Sequence, residues 1–175
     1  MSVDIIDVLL GEHGMLNALF EQVERALPTA TTREQLGWAI DTLEAGLTAH
    51  SGLEDKILIP AMERKIGQGG ALAVMRDEHT ELEDVLRMAR LSDNVEEARE
   101  LLKRVITLAT RHFTKEEKFL FPLARHDLTG PERAEIGERW AELRCVTLAP
   151  RPGEPRRQRR PTYPPWGDIT HSSGS

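Results

Sequence analysis

The chain has 175 residues, 39% of them hydrophobic and 30% charged, with a formal net charge of −6. That length suits one domain plus a tail, and the composition suits a soluble globular core; disordered, collagen-like and membrane classes drop out, the last because no apolar run approaches the roughly 18 residues a membrane helix needs. The charge is divided, with +3 on residues 151–175 (Arg151, Arg156, Arg157, Arg159 and Arg160 against Glu154 and Asp168) and −9 on residues 1–150, and an acidic body argues against a nucleic-acid-binding fold.

No segment alternates as a half-buried strand does, whereas four long segments carry a helical period. In the first, Ile6, Leu9, His13, Leu16, Phe20, Val23 and Leu27 recur at steps of three and four, and Pro28 closes it. The second opens on a capping box, Thr32 with Gln35, and its stripe is Leu36, Ile40, Leu43, Leu47, His50, Glu54, Ile57 and Ala61. Pro60 kinks or ends it, and Gly67, Gly69 and Gly70 make the next turn. The third stripe is Leu72, Met75, His79, Leu82, Leu86 and Ala89. Asn94 with Glu97 caps the fourth, whose stripe is Ala98, Leu102, Val105, Ala109, His112, Glu116, Phe119 and Leu123. Thr129, Pro131 and Glu132 start a short fifth helix reaching about Arg144, with Ile136, Trp140 and Leu143 on its apolar side. Short connections between long helices predict an all-α, up-and-down antiparallel four-helix bundle over residues 1–128, an appended helix over 129–148 and an extended Pro/Arg-rich tail over 149–175, where six of the ten prolines fall.

Cys145 is the only cysteine, so an intrachain disulfide, a Cys-based zinc site and a CxxC redox pair are all excluded, and any metal must be held by His and carboxylates. The opening MSVDIIDVLL carries acids where a secretory leader carries bases, so a cytoplasmic location is the expectation.

The two halves of the sequence match. GEHGMLNALF around His13 resembles DEHTELEDVL around His79, and AHSGLEDKILIP from Ala49 resembles RHFTKEEKFLFP from Arg111. Each unit supplies one His, then a His and a Glu four residues apart on one helical face. All six residues, His13, His50, Glu54, His79, His112 and Glu116, fall on the apolar stripes, which points four imidazoles and two carboxylates into the core. An unpaired carboxylate there is costly, and a metal turns that cost into coordination. Six N/O ligands without a thiolate are too many for one tetrahedral zinc and suit two metals bridged by carboxylates: His13 and His50 on one, His79 and His112 on the other, Glu54 and Glu116 shared. With two six-coordinate irons and one shared oxo or hydroxo, two positions stay open for dioxygen, peroxide or azide-like anions.

The H…HxxxE…H…HxxxE order, with the tails EDKILIP and EEKFLFP, resembles the haemerythrin-like (HHE cation-binding) domain family over residues 3 to about 125. The resemblance implies a helical bundle carrying a non-haem di-iron site; members include oxygen binders, iron or oxygen sensors, and proteins handling peroxide or nitric oxide. The oxygen carriers of the family have a second His four residues after the third-helix His, where this chain has Glu83, a candidate extra ligand that would fill an open place; Asn17 is a weaker counterpart in the first half. A ferritin-type oxidase is excluded, because that class uses ExxH and here each pair is His followed by Glu four later.

The expected function is therefore binding of, or reaction with, dioxygen, hydrogen peroxide or nitric oxide at two irons bridged by oxo or hydroxo and carboxylates, including catalase-like peroxide removal under oxidative stress, with no catalytic groups beyond the metal ligands. The alternative is an iron- or oxygen-sensing module without turnover, reporting through the tail or the fifth helix. No flavin or nicotinamide fingerprint is present, and neither nucleic acid nor membrane is an expected partner. Glu12 and Glu78, each just before a ligand His, have an imidazole-orienting role as one reading, but adjacent residues point about 100° apart on a helix and a surface role is preferred; His126 is read as solvent-facing, Cys145 as a small apolar contact, and the RRQRR run at 156–160 as a solvated linker, while Tyr163 and His171 reach the bundle only if the tail folds back, and Trp38, Trp140 and Trp166 report packing.

Overall fold

The computed structural model describes residues 3–148. Seven helical segments follow one another: α1 (Ile5–Ala26), α2 (Arg33–Leu53), α3 (Ile59–Ile66), α4 (Ala71–Leu91), α5 (Val95–Lys115), α6 (Phe121–Asp127) and α7 (Gly130–Leu143). A π-helical turn, Glu54–Leu58, joins α2 to α3 and another, Glu116–Leu120, joins α5 to α6, so the chain makes four long rods and one appended helix. The starts are fixed by the expected caps: Thr32 and Gln35 form a capping box, the Asn94 carboxamide accepts from the Glu96 and Glu97 amides, and Thr129 with Glu132 forms a second box before Pro131. Gly67, Gly69 and Gly70 all have positive φ in the turn before α4, backbone that residues with a Cβ rarely adopt.

Consecutive rods run antiparallel. Arg33 at the start of α2 donates to the Arg90 carbonyl near the end of α4, Arg99 early in α5 donates to the Leu27 and Ala30 carbonyls beyond α1, and Arg125 at the end of α6 meets Asp7 at the start of α1. Apolar stripes from all four rods form one core cluster around Phe20, Leu43, Leu86 and Phe113, and a second around Ile6, Leu58, Met62, Leu72 and Phe121. Each fully buried aliphatic or aromatic side chain contributes about 1.5–3 kcal/mol, which sets the scale against which buried charge must be weighed. Between the two clusters lies a layer of buried His and Glu.

The π turns correct the expected fourth stripe. A π turn inserts one residue into the helical count, so Phe119 is 68% exposed and Leu123 only half-buried, while Leu120, Phe121 and Ala124 face the core. The cause is Pro122, and Pro60 in the other rod: a proline ring clashes with the carbonyl four residues back, and widening the turn relieves the clash without ending the helix. Pro60 therefore neither ends nor sharply breaks its rod, which continues to Ile66.

α7 packs on α1 and beside the Glu54–Leu58 turn. Its start is tied to the start of α1 by Arg133, which donates to Asp4 Oδ2 at 2.7 Å and to the Leu128 carbonyl. Ile136 and Trp140 pack on the second core, whereas Leu143 is exposed. Cys145, expected as an apolar contact, is exposed with φ 55°. Among the described residues no helix is long and apolar enough to cross a membrane. The expected tail, with RRQRR, Tyr163, Trp166 and His171, lies outside the described residues.

Two glycines test this packing in opposite directions. Gly37 sits inside α2 with no neighbour in reach of a Cβ, whereas a Cβ at Gly137 would collide with the Val3 carbonyl. Gly37→Ala is expected to stabilise the chain by about 0.5–1 kcal/mol, and Gly137→Ala to destabilise it by about 1–3 kcal/mol, both read by chemical denaturation.

Candidate metal centre

His13 comes from α1, His50 from α2, His79 from α4 and His112 from α5, each one rod of the bundle, and Glu54 and Glu116 are the first residues of the two π turns. All six are buried, the two Glu completely. They form two groups of potential ligand atoms lying within 4.8 Å of one another: His13, His50, Glu54 and Glu116 in one, Glu54, His79, His112 and Glu116 in the other. The expected allocation of two imidazoles to each half, with both carboxylates common to the two, is thus how the side chains are arranged. The Glu116 carboxylate spans the halves, with Oε2 3.2 Å from His13 Nε2 and Oε1 3.3 Å from His112 Nε2. Glu54 Oε2 lies 3.4 Å from His79 Nε2 and 3.7 Å from His50 Nε2.

The outward nitrogen of every imidazole meets a carboxylate. His13 Nδ1 is 2.9 Å from Glu117, His50 Nδ1 2.8 Å from Glu12, His79 Nδ1 3.2 Å from Asp55 and His112 Nδ1 2.9 Å from Glu78. The partners are exchanged between units: the acid just before each single His (Glu12, Glu78) orients the His on the next rod, and the acid just after each core Glu (Asp55, Glu117) orients a His of the other unit. A carboxylate accepts only, so each Nδ1 carries the proton and donates. Both Nε2 atoms of each pair then face inward, His13 to His50 at 3.1 Å and His79 to His112 at 2.9 Å. Two lone pairs at that distance repel unless a positive charge lies between or beside them. Phe113 stacks on His13, ring centroids 3.9 Å apart, with Phe121 behind it at 5.3 Å, so neighbouring apolar rings confine the imidazole.

All four oxygens of Glu54 and Glu116 are buried without a hydrogen-bond partner; the imidazole contacts just given bring opposite charge close but do not have hydrogen-bond alignment. Burying an ion this way costs several kcal/mol unless a countercharge compensates. With protons as the only cations, the cluster takes them up. Burial pushes the imidazoles of His50, His79 and His112 down, but the surrounding carboxylates outweigh it and raise all three, His79 to about 10. Burial and the neighbouring Glu116 push the Glu54 carboxyl up, while at Glu116 contact with His112 and His13 overcomes burial and holds it low. Burial also pushes Glu12 and Glu78 up, yet His50 and Trp140 at the first and His112 and Lys115 at the second leave both below the ordinary carboxylate range.

Several sequence expectations are corrected. Glu12 and Glu78 are not surface acids: about 100° around the helix from their own His, each aims at the imidazole of the neighbouring rod. Asp55 and Glu117 were missed altogether, although the repeat shows them as an acid after each core Glu. Glu83 is exposed and belongs to neither group; it lines a cavity of about 10 Å³ together with His50, Ser51, His79, His112 and Phe113. Asn17 is exposed, and His126 is exposed beside Asp127, as expected.

A family model described as Hemerythrin HHE cation binding domain matches residues 4–90 and again residues 71–146, two stretches overlapping across α4. No curated protein and no solved structure matches the chain.

A His whose pKa is raised on folding stabilises the fold fully below its unfolded value, about 6.5, and that contribution is lost as pH climbs through the folded value. The metal-free chain is therefore expected to lose on the order of a few kcal/mol of stability between about pH 6.5 and 10, seen as a falling Tm. Metal uptake near pH 7 is expected to release protons, read with a pH indicator in weak buffer; uptake without release, or a flat Tm, contradicts the protonated cluster.

Proposed function

Since the chain belongs to the haemerythrin HHE cation-binding domain family, we propose that it is a non-haem di-iron protein whose buried centre binds or reacts with dioxygen, hydrogen peroxide or nitric oxide. The observation that carries this reading is the pair of facing Nε2 sets flanking two carboxylates whose oxygens have no partner. Donor chemistry favours iron: imidazole and carboxylate suit it, and thiolate is absent from the cluster. His13 and His50 would hold one iron, His79 and His112 the other, with Glu54 and Glu116 shared between them. Two irons supply the reversible one-electron changes that these small oxidants and radicals require.

The protein's own part is orientation and exclusion. Glu12, Asp55, Glu78 and Glu117 fix the ring planes and tautomers, leaving Nε2 for the metal and raising its donor strength. The cavity beside His50, His79 and His112 has room for about one water molecule, so it admits nothing much larger without side-chain movement. Its walls of Leu82, Leu86 and Phe113 keep bulk water from the centre, and the exposed Glu83 stands at its outer side.

A second reading, a sensing module without turnover, is favoured by one observation: α7 is bonded to Glu12, and through it to His50. The two readings part on experiment. Elemental analysis is expected to find two irons per chain, and the Glu54→Gln/Glu116→Gln variant none; full iron in that variant contradicts the assignment. Rapid oxygen evolution on adding peroxide to the iron-loaded chain supports turnover, whereas iron that changes only stability or partner binding supports the module.

A further inference from the structure

We propose that Trp140 and Arg144 of α7 are positioning residues for the His13/His50 half of the centre alone, so that the two metal positions are held unequally. The inference rests on the two-metal reading given above. Its basis is the Glu12 carboxylate, which is 8% exposed and has both oxygens engaged. Oε1 accepts from Trp140 Nε1 at 2.9 Å and from Arg144 Nε at 2.9 Å, with Arg144 Nη2 at 2.7 Å; Oε2 faces His50 Nδ1 at 2.8 Å. An indole held by packing and a planar guanidinium give the carboxylate one orientation, and the carboxylate gives the imidazole one orientation.

The other half has no such clamp. Glu78, the counterpart of Glu12 in the repeat, is braced at its second oxygen by Lys115, a one-third-exposed ammonium on a flexible stem. Asp55 and Glu117, which orient His79 and His13, are themselves 37% and 42% exposed. The symmetry of the ligands is therefore broken one layer out, by a helix that has no equivalent in the other unit. A groove of about 970 Å³ between α1 and α2, with Met15, Leu19, Ala45 and Val146 in its lining, reaches Glu12 and His50, and Trp140 and Arg144 form part of the same wall. Removing the clamp frees Glu12 and admits water to the same imidazole.

A purely structural anchor is the alternative, and metal affinity separates the two. The full chain and its Trp140→Phe/Arg144→Met variant are loaded with Fe(II) without oxygen, counted for iron, and stripped with a chelator over time. Both are expected to bind two irons at saturating metal; in the variant one iron should bind about 10–100-fold more weakly and leave correspondingly faster, the other unchanged. Lys115→Met should weaken the other iron instead, and the triple variant both. Trp140→Phe alone, which keeps an aromatic ring while removing the indole N–H and part of its bulk, gives the same comparison if the double variant does not fold. In a chain with Trp38 and Trp166 replaced by Phe, the fluorescence of Trp140 should shift as the first iron binds. The inference is overturned if the α7 substitutions lower Tm while leaving both affinities intact, or weaken both irons equally. If the wild-type chain itself takes up fewer than two irons, the two-metal reading fails instead.

Discussion

Four imidazoles and two carboxylates meet inside this bundle with their basic atoms turned toward one another, and the rest of the molecule is arranged around the need to neutralise them. Facing nitrogens 3.1 and 2.9 Å apart, next to carboxylate oxygens with no hydrogen bond, cannot sit between two apolar clusters without cations among them. Protons serve in the bare chain, where the surrounding carboxylates raise His50, His79 and His112; metal ions would serve better, because each satisfies several donors at once. Folding and cation binding are for this reason one equilibrium, and the apolar stripes on either side supply the stability that tolerates the charged layer.

The layer is built twice from one plan. A single His on one rod, then His and Glu on the next, is repeated, and the acids next to these residues brace the imidazoles across the bundle rather than along their own helix. Glu12 serves His50 and Glu78 serves His112, while Asp55 and Glu117 cross between the units to serve His79 and His13. Such exchange ties all four rods together at the level of the centre. The π turns belong to the same plan: each begins at a core Glu and is followed, six residues after that Glu and inside the next helical segment, by a proline that the wider turn accommodates. Among the described residues, α7 is the one α-helix outside the symmetry.

Most of this architecture is written in the periodicity. Three of the four stripes are buried in full, the caps at Thr32, Asn94 and Thr129 are used, and the six core polar residues come together as their spacing requires. What escaped the sequence has two physical sources. One is the assumption of an unbroken 3.6-residue repeat, which put Phe119 inside and overlooked Phe121; the proline that forces the extra residue is visible, but whether a rod bends, ends or widens there depends on packing beyond it. The other is that helical spacing describes one helix at a time. Glu12 and Glu78 lie off their own stripe, so the count assigned them to solvent, and only the neighbouring rods show that this direction leads to an imidazole. Glu83 fits the spacing of a ligand on α4 yet points to the outer side of the small cavity, and the role of Trp140 and Arg144 depends on where α7 docks.

The location of bound iron bears most directly on all of this. Anomalous diffraction from iron-loaded crystals is expected to give two peaks about 3.5–4 Å apart, one beside His13 and His50 and one beside His79 and His112, with the Glu54 and Glu116 carboxylates between them. A single peak, or iron bound away from both carboxylates while the six side chains keep their places, contradicts the claim that this layer exists to hold a pair of metal ions.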